Sequence, residues 1–159
     1  MPKTPQWIVR VDDRLVHGQV CVGWCDAMSI HRLVLADDNI KDSEFERELY
    51  ACCPGAEQSL QFLSLEELAA CLHEAPAETT LAVLAGPAEA ERLLELGAPL
   101  TELVLGGLHH QSGARELANY LFITPEQEAS LKRLAARGVH LVGQPLPDSP
   151  RMDVIRLLV

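Results

Sequence analysis

The sequence predicts an α/β fold, in which a mostly parallel open twisted sheet of about seven strands carries helices on both faces. Short runs rich in Val, Ile and Leu alternate with amphipathic stretches along the chain. This alternation is typical of parallel strands joined by crossover helices. No internal repeat, low-complexity segment or Gly/Ser-rich linker interrupts it, so residues 1–159 are expected to form a single domain.

The predicted strands are short and apolar, and polar or turn-forming residues bound them. In chain order they are residues 7–11, 32–36, 59–63, 80–84, 102–105, 120–123 and 139–142.

End signals predict helices between these strands. Ser64 and Glu67 have the capping-box spacing, in which each side chain accepts a hydrogen bond from a backbone N–H that the helix leaves free. Thr124 and Gln127 repeat the pattern, with Pro125 at the first helical position. Weaker signals predict three more helices, which start around Gly18, after Asp42 and at Gly86-Pro87. Regular structure is expected to stop over residues 145–150, because prolines there cannot donate ladder hydrogen bonds.

Composition argues against several classes of protein. The net charge of −10 and the pI near 5.0 speak against a nucleic-acid partner, since duplex binding needs clustered Lys and Arg. The apolar runs are much shorter than the roughly 20 residues of a membrane helix. The five cysteines are odd in number and the N-terminus lacks the pattern of a signal peptide. We therefore expect a cytoplasmic protein that associates with a membrane only transiently.

The segment after the first strand combines residues suited to phosphoryl transfer. It reads RVDDRLVHGQV over residues 10–20, and parallel sheets bind ligands at loops that leave the carboxyl ends of strands. His17 precedes a predicted helix start, where backbone N–H groups attract anions. A neutral imidazole offers one basic nitrogen while a carboxylate or carbonyl holds the other. His17 is therefore the candidate phosphoryl acceptor.

Neighbouring charges complete this candidate site. The planar guanidinium of Arg14 can bind two phosphate oxygens at once. Asp13 or Asp12 can anchor Arg14 or orient the imidazole, although two adjacent acids in a turn are also ordinary surface residues. A histidine in a charged loop is, on the same grounds, also compatible with a structural or merely exposed role.

Other chemistries fit the sequence less well. His17, Cys21 and Cys25 share one face of a predicted helix, but zinc needs tetrahedral ligands, and three groups on a straight helix do not converge. No nucleotide-binding glycine motif occurs. We therefore predict neither a metal nor another cofactor. His109 and His110 form either a phosphate or partner contact or a solvated loop pair.

Residues 10–20 resemble the R-[IV]-D-D-R-L-[IV]-H-G-Q-V signature of IIB subunits in the mannose/fructose/sorbose family of the bacterial phosphoenolpyruvate-dependent sugar phosphotransferase system. Later segments resemble further motifs of that family in the same order: residues 62–67 (F-L-S-[VL]-E-E), 97–100 (G-V-P-[IL]), 106–109 (G-N-M-H) and 144–147 (Q-x-[VL]-P).

The resemblance implies a mostly parallel α/β fold and a phosphoryl relay. In that relay a phosphohistidine on a IIA partner donates to His17, and His17 donates to a sugar bound by membrane IIC/IID components. Positioning and charge stabilisation would do most of the work, with Arg14 and Asp13 in the catalytic set and Arg14, Gly18 and Gln19 at the phosphate. Asp12 and His109 are further candidates for contact with the phosphate or the partner. The sequence leaves the oligomeric state open, a homodimer included.

The chain departs from the family pattern in places. Ala85-Gly86 stand where the family usually has a basic residue followed by Ser or Thr, and Gly107 stands where Asn is common. These departures leave the signature around His17 intact. They keep open an alternative, in which the protein is a regulatory phosphocarrier of an incomplete phosphotransferase system that does not transport sugar.

Overall fold

The computed structural model describes residues 4–158, and its main element is a seven-stranded sheet. The described residues contain nine strands, and all but β6 and β7 belong to this sheet. They are β1 (Trp7–Asp12), β2 (Arg32–Ala36), β3 (Ser59–Leu63), β4 (Thr80–Leu84), β5 (Glu102–Gly107), β6 (Arg115–Ala118), β7 (Leu121–Ile123), β8 (His140–Gly143) and β9 (Met152–Asp153). The sheet has the order β3-β2-β4-β1-β5-β8-β9, and every neighbouring pair is parallel except β8 and β9. The predicted fold class is confirmed.

A π-helix (Gln19–Asp26) follows β1, and α-helices connect most of the later strands. They are α1 (Asp38–Lys41), α2 (Glu44–Ala51), α3 (Leu65–Cys71), α4 (Pro87–Glu95), α5 (Pro125–Ala136) and α6 (Val154–Leu157). Both predicted capping boxes form, at Ser64 with Glu67 and at Thr124 with Gln127. None of the helices within residues 4–158 is long and apolar enough to cross a bilayer.

Two apolar cores lie on opposite faces of the sheet. On one face the buried side chains of α3, α4, α5 and α6 pack against strands that include β1, β4 and β5. On the other face the π-helix contributes Val20, Cys21, Trp24 and Cys25 to a smaller core with residues of β2 and β4. Helices therefore lie on both faces, and the helix that follows the candidate acceptor is packed on the smaller core.

One predicted strand takes a different place from the one expected. Residues 120–123 were predicted to be part of the main sheet, but β7 pairs antiparallel with β6 in a separate two-stranded sheet. A short connection brings these neighbouring segments together, which favours a local hairpin. The seventh strand of the main sheet is β9, a two-residue strand that has no clear sequence signal.

The proline-rich segment at residues 145–150 forms neither helix nor strand, as expected. After it the chain packs back onto the body, with Val154 and Leu158 buried. Helix α2 forms where Phe45 and Leu49 predicted a helix, but both side chains are exposed.

The carboxyl end of β1 lies at a change of direction in the topology. From β1 the chain crosses through the π-helix to β2, which lies on the β4 side of β1. From β4 it crosses through α4, on the opposite face of the sheet, to β5, which lies on the other side of β1. Sheets of this kind bind ligands at the crevice that such a reversal creates. The fold thus places residues 12–19 where a site is expected.

Candidate functional site

A tight turn carries the chain from β1 to the candidate acceptor. Leu15 N donates to Asp12 O at 2.9 Å, and Arg14 N donates to the carboxylate oxygen Asp12 Oδ1 at 3.0 Å. Leu15 adopts a left-handed conformation, with φ of 61°, yet its side chain and that of Val16 are buried in the smaller core. The buried pair anchors the turn and leaves Arg14 and His17 closer to solvent.

The two nitrogens of His17 have different partners. Nε2 lies 2.8 Å from Asp12 Oδ2, and Nδ1 lies 3.3 Å from the backbone nitrogen of Gln19. A carboxylate can only accept, so Nε2 carries the proton and Nδ1 holds the lone pair that faces the Gln19 N–H. The side chain of His17 is 19% exposed. Its basic nitrogen is therefore Nδ1, at the start of the π-helix.

Asp12 is a fully buried carboxylate that organises this turn. Its oxygens contact His17, the backbone N–H of Arg14 and the guanidinium of Arg10, at 3.2 Å for the last. Burial alone raises the pKa of Asp12, but hydrogen bonds from His17 and from the Arg14 N–H, and the charges of His17 and Arg10, together lower it below its ordinary value. Asp12 is therefore held as an anion behind the imidazole.

Arg10 lies on β1, two residues before Asp12 and on the same face of the sheet. It is fully buried, and its guanidinium lies 5.2 Å from the centre of the Trp24 ring. Burial lowers the pKa of Arg10, and the nearby Asp12 carboxylate opposes that shift. The guanidinium fills the space that a side chain at Gly106 would need, since a Cβ there would lie 1.9 Å from Arg10 Cζ.

Arg14 is the exposed cation of the site. Its Nη2 donates to Gln19 Oε1 at 2.8 Å, and its Nε lies 3.6 Å from Asp12 Oδ1. The side chain is 44% exposed. Gly18 is exposed between His17 and Gln19, so an anion can approach Nδ1 from solvent beside the guanidinium of Arg14.

Asp13 points to a different partner from the one that the sequence suggested. Its carboxylate accepts from the backbone nitrogen of His109 at 2.7 Å and contacts His109 Nδ1. Of the two aspartates only Asp12 contacts both Arg14 and His17 among the described residues. The physical reason is where the strand ends: Asp12 is the last residue of β1 and shares the face of Arg10, whereas Asp13 is the first residue of the turn, and its carboxylate lies beside His109. Asp13 is therefore not among the residues around His17, and Asp12 is the aspartate that contacts both the imidazole and Arg14.

A cavity of about 290 Å³ lies on the Asp13 side of the site. Ala85 and Gly86 line it, together with Glu89, Glu126 and the ion pair of Glu91 with Arg133. Burial raises the pKa of Glu89, and the nearby Asp37 charge adds to that shift. The part of this cavity contributed by Ala85-Gly86 therefore presents no cation to a phosphate.

The cysteines near His17 are buried in the smaller core. Burial raises the pKa of the Cys21 thiol to about 11 and that of Cys25 to about 12, which disfavours the thiolate that binds metals. Within residues 4–158 no group of three His, Cys, Asp or Glu side chains is placed to hold a metal ion. Cys52 and Cys53, which follow α2, are exposed.

Comparison with known proteins identifies the family of the chain. The family model described as "PTS system sorbose subfamily IIB component" matches residues 7–159, which is nearly the whole chain. The chain belongs to this family. Its members named below are IIB components of sugar phosphotransferase systems, so the chain is a sugar phosphotransferase component of the IIB class.

Two relatives and one solved structure illustrate the membership. The fructose-specific EIIB component of Bacillus subtilis is 23% identical over 153 residues, covering 95% of this chain and 94% of the relative. The N-acetylgalactosamine-specific enzyme IIB component 2 of Escherichia coli is 25% identical over 150 residues, covering 94% and 96%. The IIB domain of the sorbose permease from Klebsiella pneumoniae has a TM-score of 0.83 at 23% identity and covers 96% of each chain. This IIB component therefore shares the fold over its full described length.

Sequence reasoning missed Arg10 as part of the site. The signal was present, because Arg10 and Asp12 are opposite charges two residues apart on a strand whose other positions predict burial. Gln144 and Pro145, whose carbonyl oxygens contact Arg10, lie more than 130 residues away and have no local signal.

Proposed function

We propose that His17 carries the phosphoryl group of this IIB component, receiving it from a phosphorylated IIA partner and passing it to a sugar presented by membrane IIC/IID components. The observation that carries the proposal is the contact of His17 Nε2 with the buried Asp12 carboxylate at 2.8 Å. Asp12, buried and anionic, binds Nε2, so Nδ1 is the nitrogen that presents a lone pair beside the exposed Arg14. In this role the protein would dock transiently at the inner surface of a membrane.

The first transfer follows from this geometry. The lone pair of Nδ1 attacks the phosphorus atom of the donor phosphohistidine, and the bond from phosphorus to the donor nitrogen breaks as its electrons return to the donor ring. The Asp12 carboxylate stabilises the positive charge that the ring of His17 then carries. Arg14 binds the phosphoryl oxygens and offsets their charge. The protein supplies orientation and charge, and the reaction needs no further reagent.

The second transfer runs in the opposite sense. A sugar hydroxyl oxygen attacks phosphorus, the bond between phosphorus and Nδ1 breaks, and Nδ1 regains its lone pair while the hydroxyl proton leaves to solvent. Because Asp12 keeps the proton on Nε2, the ring returns to the tautomer that accepts the next phosphoryl group.

The direct test is mass spectrometry after incubation with phosphoenolpyruvate, the general phosphotransferase proteins and a IIA partner, under conditions that preserve acid-labile phosphate. We expect a single phosphoryl group on His17, bound at Nδ1, which ³¹P NMR distinguishes from the Nε2 isomer. Protein that stays unlabelled, or that is labelled at another residue, would overturn the proposal.

A second candidate is a regulatory phosphocarrier that accepts the phosphoryl group but transfers it to no sugar. The cavity beside Asp13 supports it, because Ala85-Gly86 bring no basic side chain to its wall, and Arg133, which also lines the cavity, is already ion-paired with Glu91. Incubating phosphorylated protein with membranes that contain the cognate IIC/IID decides between the two. Formation of sugar phosphate supports transport, and phosphate that stays on the protein with every sugar supplied supports regulation.

A further inference from the structure

Burying the charged side chain of Arg10 inside this sheet is energetically unfavourable. Its side chain is 0% exposed, and its Nε has no hydrogen-bond partner among the described residues. A buried cation loses its hydration, and one ion pair seldom compensates for that loss. We therefore ask what Arg10 contributes to the site that could offset this desolvation penalty.

The guanidinium of Arg10 joins two distant segments of the chain. Its Nη2 binds Asp12 Oδ2, and its Nη1 donates to two carbonyl oxygens, of Gln144 and of Pro145, each at 3.2 Å. Arg10 is thus fixed at one end by the carboxylate that holds His17 and at the other end by the segment after β8. A planar guanidinium suits this, because it donates in several fixed directions.

The segment at residues 144–151 is itself fastened in place. The side-chain amide of Gln144 donates to the carbonyl oxygens of Pro147 and Ser149, and its Oε1 accepts from Arg151. Trp24 Nε1 donates to Pro145 O at 2.8 Å, which ties the segment to the π-helix. Leu146 packs so closely on Gly23 that a Cβ there would lie 2.6 Å from it. The two carbonyls that bind Arg10 are therefore in fixed positions.

We propose that Arg10 and residues 144–151 form a positioning unit, which holds Asp12 in the place and the charge state that present Nδ1 of His17 for phosphorylation. Arg10 acts through Asp12 and touches neither the donor nor the sugar. The inference rests on His17 being the phosphoryl acceptor. It assigns a role in the site to a part of the chain that lies far from the signature motif.

The positioning unit predicts a distinctive pH dependence. The groups that face Asp12 are the charged Arg10 on its own strand, and the charged Arg14 and the titratable His17 on the turn; on the β5 side Asp12 is paired with Gly107, which has no charge. Without Arg10, the burial that raises the pKa of Asp12 is less opposed. Asp12 then takes up a proton at higher pH, and a protonated Asp12 no longer fixes the tautomer of His17. Loss of Arg10 should therefore move the acid limb of the rate profile to higher pH.

The test measures the initial rate of labelling by phosphorylated IIA as a function of pH. For Arg10→Met we expect a rate roughly 10- to 100-fold lower, the range found when an outer-shell partner of a functional group is removed, and an acid limb shifted to higher pH. Arg10→Lys keeps the charge but loses the forked geometry, so it should restore most of the pH profile and only part of the rate.

A second variant acts on the segment without changing Arg10. Gln144→Ala removes the amide that organises residues 144–151, and we expect slower labelling with the acid limb shifted in the same direction. Gln58→Ala is the matched control, because the Gln58 amide also bonds through both its nitrogen and its oxygen, to Cys21 O, Asp26 Oδ1 and Gly55 N. The control should keep the wild-type pH profile.

The outcomes separate this inference from the proposed function. Wild-type protein that accepts no phosphoryl group would remove the proposed function itself. Normal labelling of wild type together with unchanged rates and pH profiles in Arg10→Met and Gln144→Ala would overturn the positioning unit alone. If Arg10→Met does not fold, as judged by circular dichroism, the Arg10→Lys and Gln144→Ala profiles decide the question.

Discussion

Two consecutive aspartates, Asp12 and Asp13, each bind a histidine, and the two pairs differ in every other respect. The Asp12–His17 pair has a fully buried carboxylate and a ring that is 19% exposed. The Asp13–His109 pair has a carboxylate that is 25% exposed and a ring that is 55% exposed. The first pair is backed by Arg10, whereas the second has no ion pair besides its own among the described residues.

The difference shows how a carboxylate that holds a histidine ring in one orientation differs from a carboxylate that only contacts a ring at the surface. A carboxylate that is buried and ion-paired has one position and one charge state, so the ring it binds keeps one tautomer. A carboxylate in contact with water is screened, and its pair contributes little to orientation. The sequence D-D presents the two residues as equivalents, and the structure separates them by burial and by the ion pair with Arg10.

Of the substitutions that test the difference between the two pairs, His17→Ala should have the largest effect. We expect complete loss of labelling by phosphorylated IIA, because within residues 4–158 no other imidazole is bound by a fully buried carboxylate. The fold should be retained, since the residue lies between β1 and the π-helix. Mass spectrometry measures the label and circular dichroism the fold. Labelling that persisted would place the acceptor at another residue, with His109 the first to map.

Asp12→Asn should have the next largest effect. An amide can present its N–H to Nε2 and so favour the wrong tautomer, which removes the lone pair from Nδ1. We expect the labelling rate to fall about 10²- to 10⁴-fold, as when the orienting carboxylate of a catalytic histidine is replaced by its amide. Single-turnover labelling measures the rate, and a fall of less than about fivefold would show that Asp12 does not fix the ring.

Arg14→Lys should have a moderate effect. The charge remains while the two-pronged contact with the phosphoryl oxygens is lost, so we expect transfer to slow about tenfold, equivalent to one charge-assisted hydrogen bond. Labelling kinetics at several salt concentrations measure the change. An unchanged rate would remove Arg14 from the mechanism.

Asp13→Asn and His109→Ala should have the smallest effects. Their pair is partly exposed, and such pairs contribute about 1 kcal/mol at most, so we expect rate changes of less than about fivefold. Varying the concentration of phosphorylated IIA sharpens the result. A higher KM with an unchanged maximal rate would identify His109 as a partner contact, and a large fall in the maximal rate would return Asp13 to the catalytic set.

Much of the fold was predictable because its signals are local. The strands β2, β3 and β4 have the predicted bounds, and the capping residues Ser64 and Thr124 mark helix starts that the structure contains. The pairing of β7 with β6 and the strand β9 were not predictable, because three- and two-residue strands carry too few residues for a pattern.

The features of the candidate site were likewise predictable where their signals are local and not where they depend on distant contacts. The sequence indicated His17, Arg14 and the choice between Asp12 and Asp13, since all lie in one short segment. It did not indicate which aspartate faces the ring, because that depends on where β1 gives way to the turn and on where the segment after β5 lies. It also did not indicate that Arg10 meets the carbonyls of Gln144 and Pro145, a contact made only when β8 packs on β5.

Gly106 makes the site depend on a residue that has no side chain at all. With Arg10 in place, any side chain at position 106 would displace the guanidinium, which would then give up its bonds to Asp12 and to the carbonyls of Gln144 and Pro145. A larger residue at position 106 should therefore be tolerated better in a chain whose Arg10 is shortened at the same time.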